Sequence, residues 1–431
     1  MIEERNIQVK RFFNLLCGWI LVVFLTGCGS SLEPIPSREP IILNFVFREG
    51  VANYEVLADE FKKLYPEITI KLLPIESLGG NASLNLADAD VIRWEANSIL
   101  SDHENDLLIL DDLVSGSTVF PLSDFIPGTI DALRSDDVLL GIPAGLNPMV
   151  MFANARAFKK AKTSLPAGDW NLDELVFLAD AVNRQDVAFS DGDFMIGLCT
   201  SFQAFDPLIL TYLYGGSIFD QLPNPTQPTL DTPINLDAIQ WINSLYHEYG
   251  ITPDPKSTEV SSSRGDYNAI FNNKCGLWIG PMAEFKIALQ TYHLENQVKI
   301  LPLPYNQSPI SIAAEDGYFI RKTYLHPMQA WEWVSFLIEH EESAGVMIPP
   351  RMSHLESDSF NRRAGDDLKT IVRSMQNNLI ILSADLTQQS AVQKTANAFL
   401  LAVNWVITKD YDPASALESA QRVADVAFED Q

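Results

Sequence analysis

The chain of 431 residues lacks the short motifs that mark the commonest catalytic and cofactor sites. It has no G-x-G-x-x-G or Walker A loop for nucleotide phosphates, and no H-E-x-x-H or G-x-S-x-G for zinc or serine hydrolysis. Its six histidines are scattered, and no C-x-x-C pair occurs. The sequence leaves open a catalytic pair of carboxylates, as in glycosidases, because the two residues of such a pair are distant in sequence. We predict a protein that is not an enzyme and that binds no cofactor and no metal ion.

Basic residues are also scarce. Lysine and arginine number 30 against 56 acidic residues, which gives a formal net charge of −26. A surface of this sign repels phosphate backbones and anionic lipid headgroups, so we expect neither nucleic acid nor a peripheral membrane surface as a partner. Only one long apolar run occurs, close to the amino terminus.

Cysteine is rare, with four in the whole chain. Cys17 and Cys28 fall in the amino-terminal segment, which leaves Cys199 and Cys275 for the folded part. The sequence leaves open whether these two form a disulfide, since pairing depends on geometry. Two buried free thiols are the commoner outcome, and we expect them here.

The amino-terminal segment has the organisation of an export signal. Three basic residues precede an apolar run at 12–24, which is short for a membrane span. The sequence L-T-G-C at 25–28 resembles a bacterial lipobox. The resemblance implies a signal peptide at 1–27 and lipid attachment to Cys28; an ordinary cleaved signal is the alternative. Residues 28–40 are rich in Ser, Pro and Gly and are predicted to be a flexible tether.

The remaining chain shows strands alternating with helices. Ile41–Phe47 is a β-rich apolar run, apolar residues then recur at helical spacing over 54–64, and 68–72 alternates as a strand. Asn171 followed by Glu174 is typical of a capping box that opens a helix. This alternation indicates α/β layers, and the length favours two domains.

Seven segments in order then carry a specific resemblance. They are ILNFVFREGVANYEVLADEFKKLYPEITIKL, DADVIRWE, LLGIPAGLNPMVMFANARAFKKA, DWNLDELVFLADAV, LYGGSIFD, YNAIFNNKCGLWIGP and GYFIRKTYLHPMQAWEWVSFLIEHEES. Together they resemble the extracytoplasmic solute-binding proteins of ABC transporters, in the group typified by maltose-binding protein. The resemblance covers nearly all of residues 41–431.

The resemblance implies an α/β, two-lobed periplasmic-binding-protein-like fold, with two sheets that are each flanked by helices and three crossings between lobes. Lobe 1 is expected at 41–146 plus 300–346, and lobe 2 at 147–299 plus 347–431. The crossings are expected near 142–152, 298–303 and 345–351. Ligands of open α/β sheets bind at the carboxyl ends of strands, so the site is expected between the lobes.

The same matching segments supply the candidate ligand contacts. These are Arg48, Glu49, Trp94, Glu95, Asn97, Asn147, Gln203, Phe205, Met282, Glu284 and Asp316. Trp94 follows a strand where the family places an aromatic platform for a sugar; packing under a loop is the alternative. Met282 and Leu400 stand where many sugar binders have aromatic residues, so a conventional sugar stack is incomplete. Phe205 is equally suited to the core, and Arg48 to a solvated turn.

The function that the resemblance implies is the solute-binding component of an ABC importer, closing by hinge motion on a carbohydrate. Its partners would be the solute, the transmembrane permease subunits and, through lipid, the outer face of the cell membrane. The protein is expected to be a monomer. Two alternatives stay open, which are an exported carbohydrate-active hydrolase and a sensory binding protein that feeds a membrane receptor.

Overall fold

The computed structural model describes eleven stretches of the chain. They are residues 40–48, 50–78, 89–116, 120–135, 137–188, 190–200, 205–222, 225–253, 268–322, 325–381 and 391–429, without the side chains of 77, 78, 97, 101 and 102. The predicted signal peptide, Cys28 and nearly all of the tether therefore lie outside the described residues.

Eleven strands are found in the described part of the chain. They are β1 (Ile41–Phe47), β2 (Ile68–Pro74), β3 (Val91–Glu95), β4 (Arg134–Ser135), β5 (Val138–Leu139), β6 (Gly141–Asn154), β7 (Ile196–Cys199), β8 (Cys275–Pro281), β9 (Val298–Leu301), β10 (Ser311–Ile320) and β11 (Leu379–Ile381).

The helices of the described residues separate these strands and dominate the carboxyl-terminal part. They are α1 (Tyr54–Leu64), α2 (Ala96–His103), α3 (Asp111–Ser115), α4 (Ala155–Ala161), α5 (Leu172–Val182), α6 (Asp206–Tyr214), α7 (Pro233–His247), α8 (Met282–Thr291), α9 (Pro327–Glu339), α10 (Met352–Leu355), α11 (Asp358–Arg363), α12 (Asp366–Asn377), α13 (Ala391–Lys409) and α14 (Pro413–Glu429).

The predicted capping box at the start of α5 is confirmed. Asn171 Oδ1 accepts from the Glu174 backbone N–H at 2.9 Å. The Asn171 backbone N–H donates in return to Glu174 Oε2 at 3.0 Å. Each bond satisfies a donor that the first helical turn leaves unpaired, so the helix begins where the sequence predicts.

Two halves of sheet are joined by two long strands. The order is β2-β1-β3-β10-β6-β8-β7, with β11 beside β10 and β9 beside β6. The first half of β6 pairs with β10, and its second half pairs with β8 and β9. β10 pairs with β11 at its start and with β3 at its end. Both long strands therefore contribute to both halves.

These pairings bear on where the chain passes between the halves. The crossing expected at 142–152 falls within β6. The segment at 298–303 contains β9, which pairs only with the far half of β6, so we place the second passage along β10 instead. The segment at 345–351 runs beside β6 through a bridge between Leu146 and Ile348. The lobe boundaries stay a prediction.

Each half of the sheet buries apolar side chains on its faces. Successive residues of β6 alternate between two cores: Met151 and Ala153 pack with α5–α7, α13 and α14. Val150 and Phe152 pack with α8, α11 and α12 on the opposite face. This period of two is what a strand covered on both sides requires.

Cys199 and Cys275 form a disulfide, contrary to the expectation of free thiols. They lie on the adjacent parallel strands β7 and β8, where Cys275 pairs with Ile196 and Cys199 with Trp278, and their Cα atoms are 6.0 Å apart. This separation is in the range that a disulfide bridges. The disulfide forms because the fold places β7 beside β8, although the two cysteines are 76 residues apart in sequence.

Candidate functional site

Six of the predicted contact residues lie where β1, β3, β6 and β10 meet the start of α8. The parallel pairing of β1 with β3 brings Arg48 and Trp94 to the same edge of the sheet. β10 runs antiparallel to β3 and sets Asp316 opposite Glu95. We call the group the Trp94 cluster: Arg48, Trp94, Glu95, Asn147, Glu284 and Asp316.

The Arg48 side chain connects three members of the Trp94 cluster. Its guanidinium carbon lies 5.1 Å from the centroid of the Trp94 ring. Its Nη1 is 3.1 Å from Glu284 Oε1, and its Nη2 is 3.7 Å from Asp316 Oδ1. The ring itself is only 8% exposed. A cation of the chain therefore covers the aromatic face that the sequence analysis assigns to a ligand.

Asn147 holds the first turn of α8 against β6. Its Nδ2 donates to Glu284 Oε2 at 2.5 Å, and its Oδ1 accepts from the Ala283 backbone N–H at 2.8 Å. The amide is buried and lies inside β6, so the structure does not use it as a turn residue before Pro148. Its two bonds orient the Glu284 carboxylate toward Arg48.

Arg93 is a charged residue of the site that the sequence analysis missed. It is 1% exposed, and its Nε lies 3.3 Å from Asp316 Oδ2. Its guanidinium also donates to the Tyr54 hydroxyl and to the carbonyl oxygens of Ser343 and Ala344. Burial alone would lower the pKa of Arg93, but its polar neighbours raise it above its ordinary value. The sequence did carry a signal, which is the single arginine inside the predicted strand D-V-I-R-W. An arginine in a buried strand needs charged or polar partners, because arginine is almost never fully buried unless it is paired.

Two glutamates have raised pKa values: Glu95, a member of the Trp94 cluster, and Glu315, which precedes Asp316 on β10. Burial raises the pKa of Glu95, and nearby Asp316 and Glu284 raise it further against the opposing effect of Arg48. Glu315 is 2% exposed, and neither of its carboxyl oxygens has a hydrogen-bond partner in the described part of the chain. Burial, and then the charge of Asp316, raise the pKa of Glu315 well above its ordinary value.

Glu315 lies on the same face of the sheet as Trp94. The pairing of β10 with β3 is uninterrupted from Asp316–Glu95 to Ile320–Val91, and it sets Gly317 opposite Trp94. Residues two apart on a strand share a face, so Glu315 and Gly317 share that of Trp94. The irregularity at Asp316 and Gly317 belongs to the pairing of β10 with β6.

The other predicted contacts are placed differently. Met282 is 1% exposed and packs in the core under α8, so the structure gives it a packing role and corrects its assignment as a ligand contact. Phe205 is 50% exposed at the start of α6, which contradicts its alternative assignment to the core. Glu49, Gln203 and the side chain of Asn97 lie outside the described residues.

A cavity of about 540 Å³ opens elsewhere, between the carboxyl-terminal end of α6, the loop at 307–310 and β11. No member of the Trp94 cluster lines it. It ends at Ile381, where the described chain is interrupted.

The described residues lack both a membrane-spanning helix and a metal-binding cluster. No helix there is long and apolar enough to cross a membrane. No group of three or more His, Cys, Asp or Glu side chains in those stretches is arranged to hold a metal ion.

Solved structures with the same fold cover nearly the whole chain. The ABC substrate-binding protein Lmo0181 from Listeria monocytogenes, in complex with cycloalternan, has a TM-score of 0.69 at 16% identity, covering 91% of this chain and 100% of that chain. An ABC transporter solute-binding protein from Thermotoga lettingae, bound with alpha-D-tagatose, has a TM-score of 0.68 at 14% identity, covering 90% and 100%. The sugar-binding protein MalE from Xanthomonas citri has a TM-score of 0.68 at 15% identity, covering 90% and 98%.

The sequence profile of the bacterial extracellular solute-binding proteins matches residues 47–344, which is more than half of the chain. The chain belongs to this family. The predicted two-lobed α/β fold of a solute-binding protein is confirmed. The prediction of a binding protein rather than an enzyme is confirmed as well, because the family and these structural neighbours are all binding proteins. As a member of this family, the solute-binding protein acts outside the cytoplasm.

Proposed function

We propose that this solute-binding protein captures a carbohydrate between its two lobes and delivers it to the transmembrane subunits of an ABC importer. The observation that carries the proposal is the Trp94 cluster. An indole ring offers a flat apolar face for the CH-rich face of a sugar ring. Around it, Asn147, Glu284 and Asp316 supply the few oriented polar groups that a small-molecule site needs.

The position of the cluster agrees with closure of one lobe on the other. Arg48 belongs to the predicted lobe 1 and Glu284 to the predicted lobe 2, and they form an ion pair. β6 and β10 pass beneath them and would act as the hinge. Hinge closure absorbs its rotation in a few such connecting segments.

The ligands bound in the neighbouring structures support a sugar over other solutes. The Listeria protein was solved with cycloalternan and the Thermotoga protein with tagatose. A sensory role that feeds a membrane receptor uses the same site, so it is the second candidate. Permease genes beside the gene of this chain would favour import.

Replacing Trp94 with alanine should weaken sugar binding by about 1–2 kcal/mol, which is roughly a 5- to 30-fold loss, because the stacking surface is removed. Titration calorimetry with a sugar found by a thermal-shift screen measures the change. Trp405 is a matched control, since Lys409 lies over its ring at 5.6 Å on α13, away from the cluster. Trp405→Ala should leave affinity unchanged. Unchanged affinity in a folded Trp94→Ala variant, with a large loss of stability, would reduce Trp94 to a packing residue.

We also propose that lipid on Cys28 tethers the monomeric protein to the outer face of the cell membrane. Cys28→Ser should release the protein in soluble form, because the predicted lipid attachment is lost. Fractionation of membranes and soluble proteins, with Cys17→Ser as the control, measures the partition. A Cys28→Ser variant that partitions with membranes as the original chain does would place the anchor elsewhere.

A further inference from the structure

Arg48 occupies the Trp94 cluster in the manner of a bound ligand. Its guanidinium lies over the Trp94 ring at 5.1 Å and between the carboxylates of Glu284 and Asp316. Aromatic faces attract cations, and carboxylates bind guanidinium and ammonium groups through charge-assisted hydrogen bonds. The chain's own side chain thus indicates which chemistry this space accepts.

The hold on Arg48 is weak enough for another group to replace it. Arg48 and Glu284 are 27% and 44% exposed, so their ion pair contributes about 0–1 kcal/mol. Arg48 follows the last residue of β1 on a long side chain, and its Nε is a buried donor without a partner among the described residues. Arg93 is different, because its guanidinium is enclosed and fully hydrogen bonded. Arg48 can therefore swing into solvent while Arg93 stays.

If Arg48 swung away, the space that its guanidinium leaves would be lined mainly by hydrogen-bond acceptors and by the aromatic face of Trp94. Glu284, Asp316 and Glu95 would border it with Trp94, and Arg93 would neutralise only Asp316 among them. Glu315 adds a buried carboxyl group, without a hydrogen-bond partner among the described residues, on the Trp94 face of β10. A neutral sugar that displaced Arg48 would leave the Glu284 carboxylate without a counter-charge, whereas Asp316 would keep Arg93. A ligand that brings its own cation would not.

We propose that the space over Trp94 is a cation subsite, and that the ligand is a sugar or related polyol whose protonated amine or guanidinium group takes the place of Arg48. The ligand class rests on the carbohydrate-binding function proposed above. The subsite itself rests on the contacts of Arg48 alone. The two parts are tested separately.

The subsite is tested by chemical rescue of Arg48→Ala, with Arg48→Met as a second variant that keeps the apolar stem. Methylguanidinium should raise the melting temperature of Arg48→Ala by about 1–2 °C more than that of the original chain, because it binds the vacated space in the native state. N-methylurea, which has a similar shape and no charge, should not. The rescue should disappear in the double variant Arg48→Ala/Glu284→Gln. Arg422→Ala, at an exposed helical ion pair, is the control for general salt effects.

The ligand class is tested with matched pairs, glucosamine against glucose and the glucosamine disaccharide against cellobiose, by calorimetry on the original chain. We expect the amine of a pair to bind at least tenfold more tightly, about 1.4 kcal/mol, and the ratio to fall in Glu284→Gln. Absence of methylguanidinium-specific rescue overturns the cation subsite. Equal or tighter binding of the neutral sugars overturns the cationic ligand and leaves carbohydrate binding intact. If no saccharide of any charge binds, the proposed function fails, while the rescue experiment still decides the subsite.

Discussion

Replacing Arg93 with leucine is expected to lower the free energy of unfolding by about 3–5 kcal/mol, the cost of removing one partner from a buried ion pair. Asp316, which is 4% exposed, would keep only the longer 3.7 Å contact with Arg48, and the Tyr54 hydroxyl and the Ser343 and Ala344 carbonyl groups would lose a common donor. Arg93→Lys should recover only part of the loss, because one ammonium group cannot reach all these partners. Urea titration of each variant, followed by tryptophan fluorescence, measures the change.

A surface ion pair is the matched control for Arg93. Arg134 and Asp111 are joined at 3.2 Å, with side chains 29% and 42% exposed. Arg134→Ala should cost about 0–1 kcal/mol, since solvent screens such pairs. The double variant Arg93→Leu/Asp316→Leu should be more stable than Arg93→Leu alone, because it no longer buries a carboxylate whose main counter-charge has been removed. A cost below about 1 kcal/mol for Arg93→Leu would contradict the network described here.

Glu315→Gln is expected to stabilise the protein near neutral pH, by about 1.4 kcal/mol for each unit by which burial raises the pKa of Glu315. The raised pKa means that the folded state keeps this proton to a higher pH than the unfolded chain, whose glutamate pKa is near 4.5. The stability that the protonated form contributes is complete below that pH and is lost as the pH rises through the folded-state pKa. Glutamine cannot ionise and avoids this loss.

The pH dependence separates this effect from a simple packing change. The two proteins should have similar free energies of unfolding below the ordinary glutamate pKa and diverge progressively above it. Urea titrations at several pH values measure the difference. Glu60→Gln, on the exposed face of α1, should change little at any pH. A difference that is constant with pH would show that Glu315 does not titrate abnormally in the folded protein.

Local pattern was sufficient for much of the secondary structure. The strand predicted at Ile41–Phe47 and the helix predicted over 54–64 have the same bounds in the structure. The helix that follows Asn171 begins at the predicted cap. These elements depend on periodicity and hydrogen bonds within about four residues, which a single sequence displays directly.

The features of the site likewise fall into those that the sequence indicates and those that only the folded chain brings together. The sequence indicated Arg48 and Trp94 from strand ends and Asp316 from a segment that matches the family, but it could not show that Arg48 covers Trp94. The Arg48–Glu284 contact spans 236 residues and the Arg93–Asp316 contact spans 223. Met282 carries the apolar character of both a core residue and a sugar platform, and only packing decided between them.

The sequence alone determined the export signal pattern, the α/β alternation, the capping box and the order of segments that points to the family. Each of these is encoded locally or in chain order. The tertiary structure alone decided the disulfide, the pairing of β10 with β3 and β6, the burial of Arg93 and Glu315, and the cation over Trp94. These features depend on which distant strands become neighbours and how much water they exclude, and no local pattern carries that information.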